Sequence, residues 1–132
     1  MTDMRASFRA VLNKYGYNVF LQRRLSAYEV DNAVFERQLE KHTVRSTYPR
    51  KTNLENAANE ASEGITHDYD QVFYFMHDAV PKRGDRIYEE YFGRPNNTAT
   101  YLIDESLPMR GEQGEIVFWT VGATQETHKR EG

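Results

Sequence analysis

The sequence predicts a mainly β fold, a small β-barrel or two-sheet sandwich with an N-terminal α-helix and one long polar loop. Three observations lead there. At 132 residues the chain fits one domain, which can bury roughly two-thirds of its unfolded surface without staples. Nine Tyr, seven Phe and one Trp lie mostly in short segments bounded by Gly or Pro, a setting that suits pleated, half-buried strands. Turn-forming clusters then recur at short intervals through the second half of the chain.

The helix comes first. Thr2 or Asp3 can cap it, and Met4, Phe8, Val11, Leu12 and Tyr15 form one apolar stripe at helical spacing. Arg5, Arg9 and Asn13 fall on another face, and Gly16 is the expected stop at the position after the last helical residue. The spacing predicts a helix over 3–15. From Tyr17 to Leu25 the pattern alternates, with Tyr17, Val19 and Leu21 on one face, which predicts a strand running directly out of the helix. Residues 34–47 admit either a helical turn at Phe35 and Leu39 or a strand through 42–48. Pro49 biases Tyr48 towards extended backbone, so a strand ending at Tyr48 is preferred.

Residues 50–70 are polar and rich in Asn, Glu and Ala, and a connection of such length inside a small domain is uncommon. Its charged residues include Arg50, Lys51, Glu55, Glu60, Glu63 and Asp68, and its balance is acidic.

After this loop the β signal strengthens. Gln71–His77 alternates Val72, Tyr74 and Met76 against Phe73 and Phe75; a turn over 81–85 leads to a strand over 86–90. Arg94-Pro95-Asn96-Asn97 reads as a further turn before a strand over 98–104. Residues 108–114 lead to a last strand over 115–121, in which Ile116, Phe118 and Thr120 oppose Val117, Trp119 and Val121. Phe75, Phe118 and Trp119 are the expected core anchors, and 122–132 is the expected flexible tail. One domain over 1–132 follows, with its barrel over 17–121.

Chemistry is hard to find. Without cysteine there is no disulfide, thiolate zinc site or thiol nucleophile. His42, His67, His77 and His128 are scattered without shared ligand spacing. Asp68, Asp70 and Asp78 fit an acidic loop end as well as a carboxylate pair. The glycines at 111 and 114 lack the Lys-Ser/Thr and helix of a phosphate loop. The expectation is a protein without enzymatic activity, cofactor or metal. No apolar run nears the roughly 20 residues of a membrane span, so a soluble, cytoplasmically made protein is expected.

Charge is unevenly spread. Residues 1–50 hold nine Lys/Arg against five Asp/Glu, a balance of +4, while 51–132 hold eight against fifteen, a balance of −7. The overall charge of −3 argues against a general nucleic-acid binder, and the asymmetry suits opposite faces meeting in neighbouring copies.

The segment Val72–Glu89 carries a family resemblance. An aromatic strand, then Pro81-Lys82-Arg83 and Gly84-Asp85-Arg86-Ile87 with Tyr88 behind, resembles the core hairpin of tailed-phage head-closure proteins, also called head-to-tail stoppers or connector proteins. Gly84 supplies a turn conformation closed to other residues, Asp85 bonds back to the turn, and Ile87 is the first inward residue. The segments 16–24 and 114–119 resemble the family's opening and closing barrel strands. What the resemblance implies is a homo-oligomeric ring in the virion neck, assembled in the host cytoplasm. A portal or adaptor ring sits above it, tail proteins dock below it, and genomic DNA passes through its channel. In such a ring Arg50, Lys51, Glu55, Glu60, Glu63 and Asp68 are the loop's candidates for contact with the DNA channel or with a neighbouring copy, and the loop's acidic balance favours the neighbour because it repels phosphates. Two other readings stay open: another tail or baseplate subunit such as a tail terminator, or a monomeric OB-like or SH3-like binding module with exposed aromatics.

Overall fold

Asp3 begins helix α1 (Met4–Tyr15), its carboxylate accepting from the amides of Arg5 and Ala6. The computed structural model describes residues 3–25, 34–47 and 69–126. Beyond the helix these form six antiparallel strands: β1 (Tyr17–Gln22), β2 (Glu40–Thr47), β3 (Gln71–Met76), β4 (Arg86–Tyr91), β5 (Arg94–Arg110) and β6 (Ile116–Gln125). They close into a barrel in the order β1-β2-β3-β6-β5-β4. Closure removes the open sheet edges that a six-stranded sandwich would have to protect.

Alternation decides which residues fill the barrel. Val19 and Leu21 point inward from β1, Phe73 and Phe75 from β3, Ile87 from β4, Tyr101 and Ile103 from β5, and Val121 and Ala123 from β6. The ring of Tyr101 meets Phe73 edge-on at 5.2 Å between centroids. The helix lies outside, along β2, β3 and β6, and is held by few residues. Leu12 is buried, Phe8 stacks on Phe118 at 4.7 Å, and Arg5 Nε donates to the Ile116 carbonyl. Met4, Val11 and Tyr15 of the same stripe remain exposed, so the amphipathic pattern overstates how much of the helix is covered.

Several boundaries differ from the sequence reading, each for a physical reason. Gly16 does end the helix, but with extended backbone rather than the left-handed conformation expected of a stop. A Cβ there would lie 2.5 Å from the Leu12 carbonyl oxygen, so close packing selects the glycine. β1 ends at Gln22, not Leu25, although Arg24 pairs with Phe35 in a single bridge beyond it. β2 runs Glu40–Thr47, and Tyr48 lies outside the described residues.

The expected turn at 94–97 is strand. Tyr91 pairs with Arg94, so the turn is Phe92-Gly93, and Pro95 and the two Asn residues belong to β5. β5 also continues through 105–110, where the sequence reading placed a loop. Finally, 122–125 is strand and not tail: Gly122 and Ala123 are buried in β6. The ring of Tyr69 covers Gly122, with a Cβ at that position 2.5–2.6 Å from its carbons. An aromatic side chain thus shields a strand glycine that would otherwise weaken the sheet.

Candidate functional site

The expected turn motif forms a tightly bonded latch at one end of the barrel. Gly84 has φ +93°, a conformation that only glycine adopts without strain. Its amide donates to the Ile103 carbonyl, and the Ile103 amide donates back to the carbonyl of Asp85, which ties the turn to β5. The Asp85 residue is only 2 % exposed. Its carboxylate accepts from the amide of Lys82 at 3.0 Å, the amide of Arg24 at 2.9 Å and Arg23 Nη1 at 3.2 Å. Ile87, two residues on, is fully buried.

Arg23 completes the latch, and nothing in its sequence neighbourhood singles it out. Its Nε and Nη2 form a fork on Glu40 at 2.8 and 3.0 Å. Nη1 reaches Asp85 and the Val80 carbonyl, and Nη2 also reaches the Ala79 carbonyl. All five guanidinium donors are thereby used, which a lysine could not reproduce. The arginine joins the end of β1, the start of β2 and the connection before β4. Val80 has φ +46°, an outlier for a β-branched residue, and the bonds from Arg23 to its own and the preceding carbonyl hold it there. Burial alone would lower the Arg23 pKa, but its bonds to Glu40 and Asp85 raise it. The same Arg23 bond holds the Glu40 carboxyl below its ordinary range, with His42 adding to the effect at 3.0 Å.

Arg86, the third residue of the motif, points outward. It makes a paired contact with Glu126 at 2.6 and 3.1 Å and lies 4.2 Å over the Phe35 ring. Those anionic contacts outweigh burial and raise its pKa. At the opposite end of β1, burial pushes the Tyr17 phenol up to about 12, even though its hydroxyl bonds Ser46 at 2.7 Å. Burial, reinforced by a hydrogen bond to Glu105, likewise raises the Tyr69 phenol.

Of the expected core anchors, Phe75 is fully buried and Trp119 packs against the core while its indole donates to the His77 carbonyl at 3.0 Å. Phe118 is on the other face. It is half-buried outside the barrel, between Phe8 of α1 and Tyr74, because the β6 alternation sends Val117, Trp119 and Val121 inward. Arg50, Lys51, Glu55, Glu60, Glu63 and Asp68 lie outside the described residues. The glycines 111 and 114 form the β5–β6 turn, where the Gly111 amide donates to the Glu115 carbonyl.

A second feature was not legible in advance. The β4–β5 hairpin closes in two residues, Phe92 with φ +50° and Gly93 with φ +77°. Positive φ at both positions is the type I′ geometry, whose first place usually falls to Asn, Asp or Gly. Here it holds a phenylalanine that is 87 % exposed, edge-on to Tyr91 at 4.5 Å. Phe-Gly is not a turn signal, so the Arg-Pro-Asn-Asn sequence just beyond drew the turn to the wrong place.

Among the described residues no group of three His, Cys, Asp or Glu side chains stands ready to hold a metal. No helix there is long and apolar enough to cross a membrane. Comparison with protein-family models gives no match, and no curated protein or solved structure matches the chain.

Proposed function

We propose that this chain is a structural subunit of a tailed-phage neck, one copy in a ring that closes the DNA-filled head and docks the tail. The observation that carries the reading is the segment from Val72 to Glu89. Its residue pattern resembles the head-closure hairpin, and the reading is supported by its buried aromatic strand, its Gly84 turn, the bond of Asp85 back to that turn and the inward Ile87. The surrounding fold, a small closed barrel with tight β4–β5 and β5–β6 turns, suits a subunit that transmits load. The latch around Arg23 is built for rigidity, since its donors and acceptors are spent on one another. On this reading the protein performs no chemistry, and its partners are further copies of itself, the portal or adaptor above, the tail below and the DNA that passes between.

A monomeric ligand-binding barrel is the second reading, favoured by the exposed Tyr91 and Phe92. Base stacking needs an accessible ring face and a cationic groove. The two rings stand at 77° to each other, and Glu89 and Glu90 precede them, which fits that role poorly.

The test is genetic. A phage lacking this gene product is expected to accumulate packaged heads that lose DNA or fail to join tails, alongside normal free tails. Tails of aberrant length, or missing baseplates with intact necks, would move the protein elsewhere in the particle. Intact infectious particles would remove it from the virion.

A further inference from the structure

We propose that the Ala79–Val80 peptide is a two-position catch at the end of the barrel, held by Arg23 in the orientation that strains the backbone and turning over when that hold is lost. This goes beyond the neck reading and does not depend on it.

Two features make the present orientation costly. Val80 has φ +46° although its side chain is β-branched, a combination that backbone sterics disfavour. Pro81 follows it, and a proline biases the residue before it towards extended backbone. Val80 is 40 % exposed, so packing of its side chain does not impose the torsion. Arg23 holds both flanking carbonyls instead: Nη2 donates to that of Ala79, and Nη1 to that of Val80 at 2.7 Å. Strained torsions of this kind persist where the surroundings over-determine them.

Relief has a simple route. Rotating one peptide plane changes ψ of Ala79 and φ of Val80 together, the change that separates type I from type II turns. Its two ends are fixed. Ala79 is buried and its amide donates to the Met76 carbonyl at 3.1 Å; Pro81 is buried too, and its carbonyl accepts from Ser106 at 2.7 Å. The group that must swing between them is the Ala79 carbonyl, which is one that Arg23 holds.

The guanidinium can release that carbonyl and stay in place. Its charge is anchored on carboxylates, Glu40 at 2.8 and 3.0 Å and Asp85 at 3.2 Å, while the two carbonyls carry no net charge. Only a group that binds one position better than the other shifts such an equilibrium, and within the chain that group is Arg23. Because Val80 turns with the plane, beside the exposed Lys82 and Arg83, this end of the barrel has two surfaces.

Val80→Gly in the intact chain tests the strain, because glycine takes positive φ freely. It is expected to raise the melting temperature, whereas glycine at an unstrained position lowers it. In an Arg23→Gln background the same substitution is expected to lower it, since the valine has already relaxed. The Cα and Cβ chemical shifts of Val80 are expected to move from left-handed to extended values in Arg23→Gln. Arg23→Lys keeps the charge but not the fork that reaches carboxylates and carbonyls together, and should move them in the same direction.

A valine that keeps left-handed shifts in both Arg23 variants would show that its buried neighbours impose the torsion, and would overturn the proposal. So would a Val80→Gly substitution that lowers the melting temperature equally with and without Arg23. Should neither Arg23 variant fold, Val80→Gly decides alone: a raised melting temperature supports the catch and a lowered one overturns it.

Discussion

The Asp85 carboxylate is held by donors from Arg23, Arg24 and Lys82, and the ring of Tyr69 lies over Gly122. Asp85 was legible because a Gly-Asp pair after a proline can do little except turn the chain and bond back to it. Gly122 was not, since a glycine followed by polar residues reads as the end of a strand. What reverses that reading is Tyr69, fifty-three positions earlier, whose ring covers it. Arg23 was invisible for the same reason: its five bonds go to residues brought near by folding. These cases give two expectations. Gly122→Ala must displace the Tyr69 ring from its place and should cost about 1–3 kcal/mol, a loss that thermal denaturation would register and that Tyr69→Ala should largely abolish as a difference. Phe75→Ala, in a fully buried site, should cost about 3–5 kcal/mol, and Phe118→Ala distinctly less, because its ring is half-buried under the helix. Equal losses at both sites would contradict the assignment of faces in β3 and β6.

At the scale of elements, alternation carried most of the information. β1, β3 and β6 were placed by their inward and outward sets, and the helix by its stripe and its cap. Boundaries failed where turn chemistry misled. In β5 the Asn96 side chain accepts from the amide and hydroxyl of Thr98, so a turn-forming residue spends its bonding within a strand. The latch couples elements rather than residues, and its electrostatics can be read against pH. Glu40 is held below its usual pKa of 4.5 by Arg23, so its folded value is lower than its unfolded one. The stability it contributes is complete above pH 4.5 and fades as pH falls through the depressed value. Denaturant titrations of the wild type and Glu40→Gln should therefore differ at pH 7 and converge towards pH 3. The difference should be modest and salt-sensitive, since the Glu40 side chain is 42 % exposed. A difference that grew on acidification would show that the pairing with Arg23 is not what the carboxylate supplies. The barrel closes through β1 to β6 alone among the described residues. Deleting 53–63 should leave its unfolding cooperative, and a collapse of the far-ultraviolet β signal would refute that.

For the whole molecule, architecture is legible before role. Length, aromatic content and turn spacing led to a barrel or sandwich, and the register decides for the closed barrel. Role is a different matter, because a barrel of this size is compatible with many functions and only the segment from Val72 to Glu89 points to one. The polar stretch 50–70, with its acidic candidates, bears on whether such a ring would contact DNA or its neighbours, and the charge asymmetry of the chain leans towards neighbours. In the proposed neck ring, many copies of this barrel surround the DNA path between head and tail. Cryo-electron microscopy of the intact particle tests it most directly. The expected result is a ring of six-stranded barrels at the neck into which this fold docks. A neck whose densities exclude this barrel, or a particle in which the chain appears elsewhere or not at all, would contradict it.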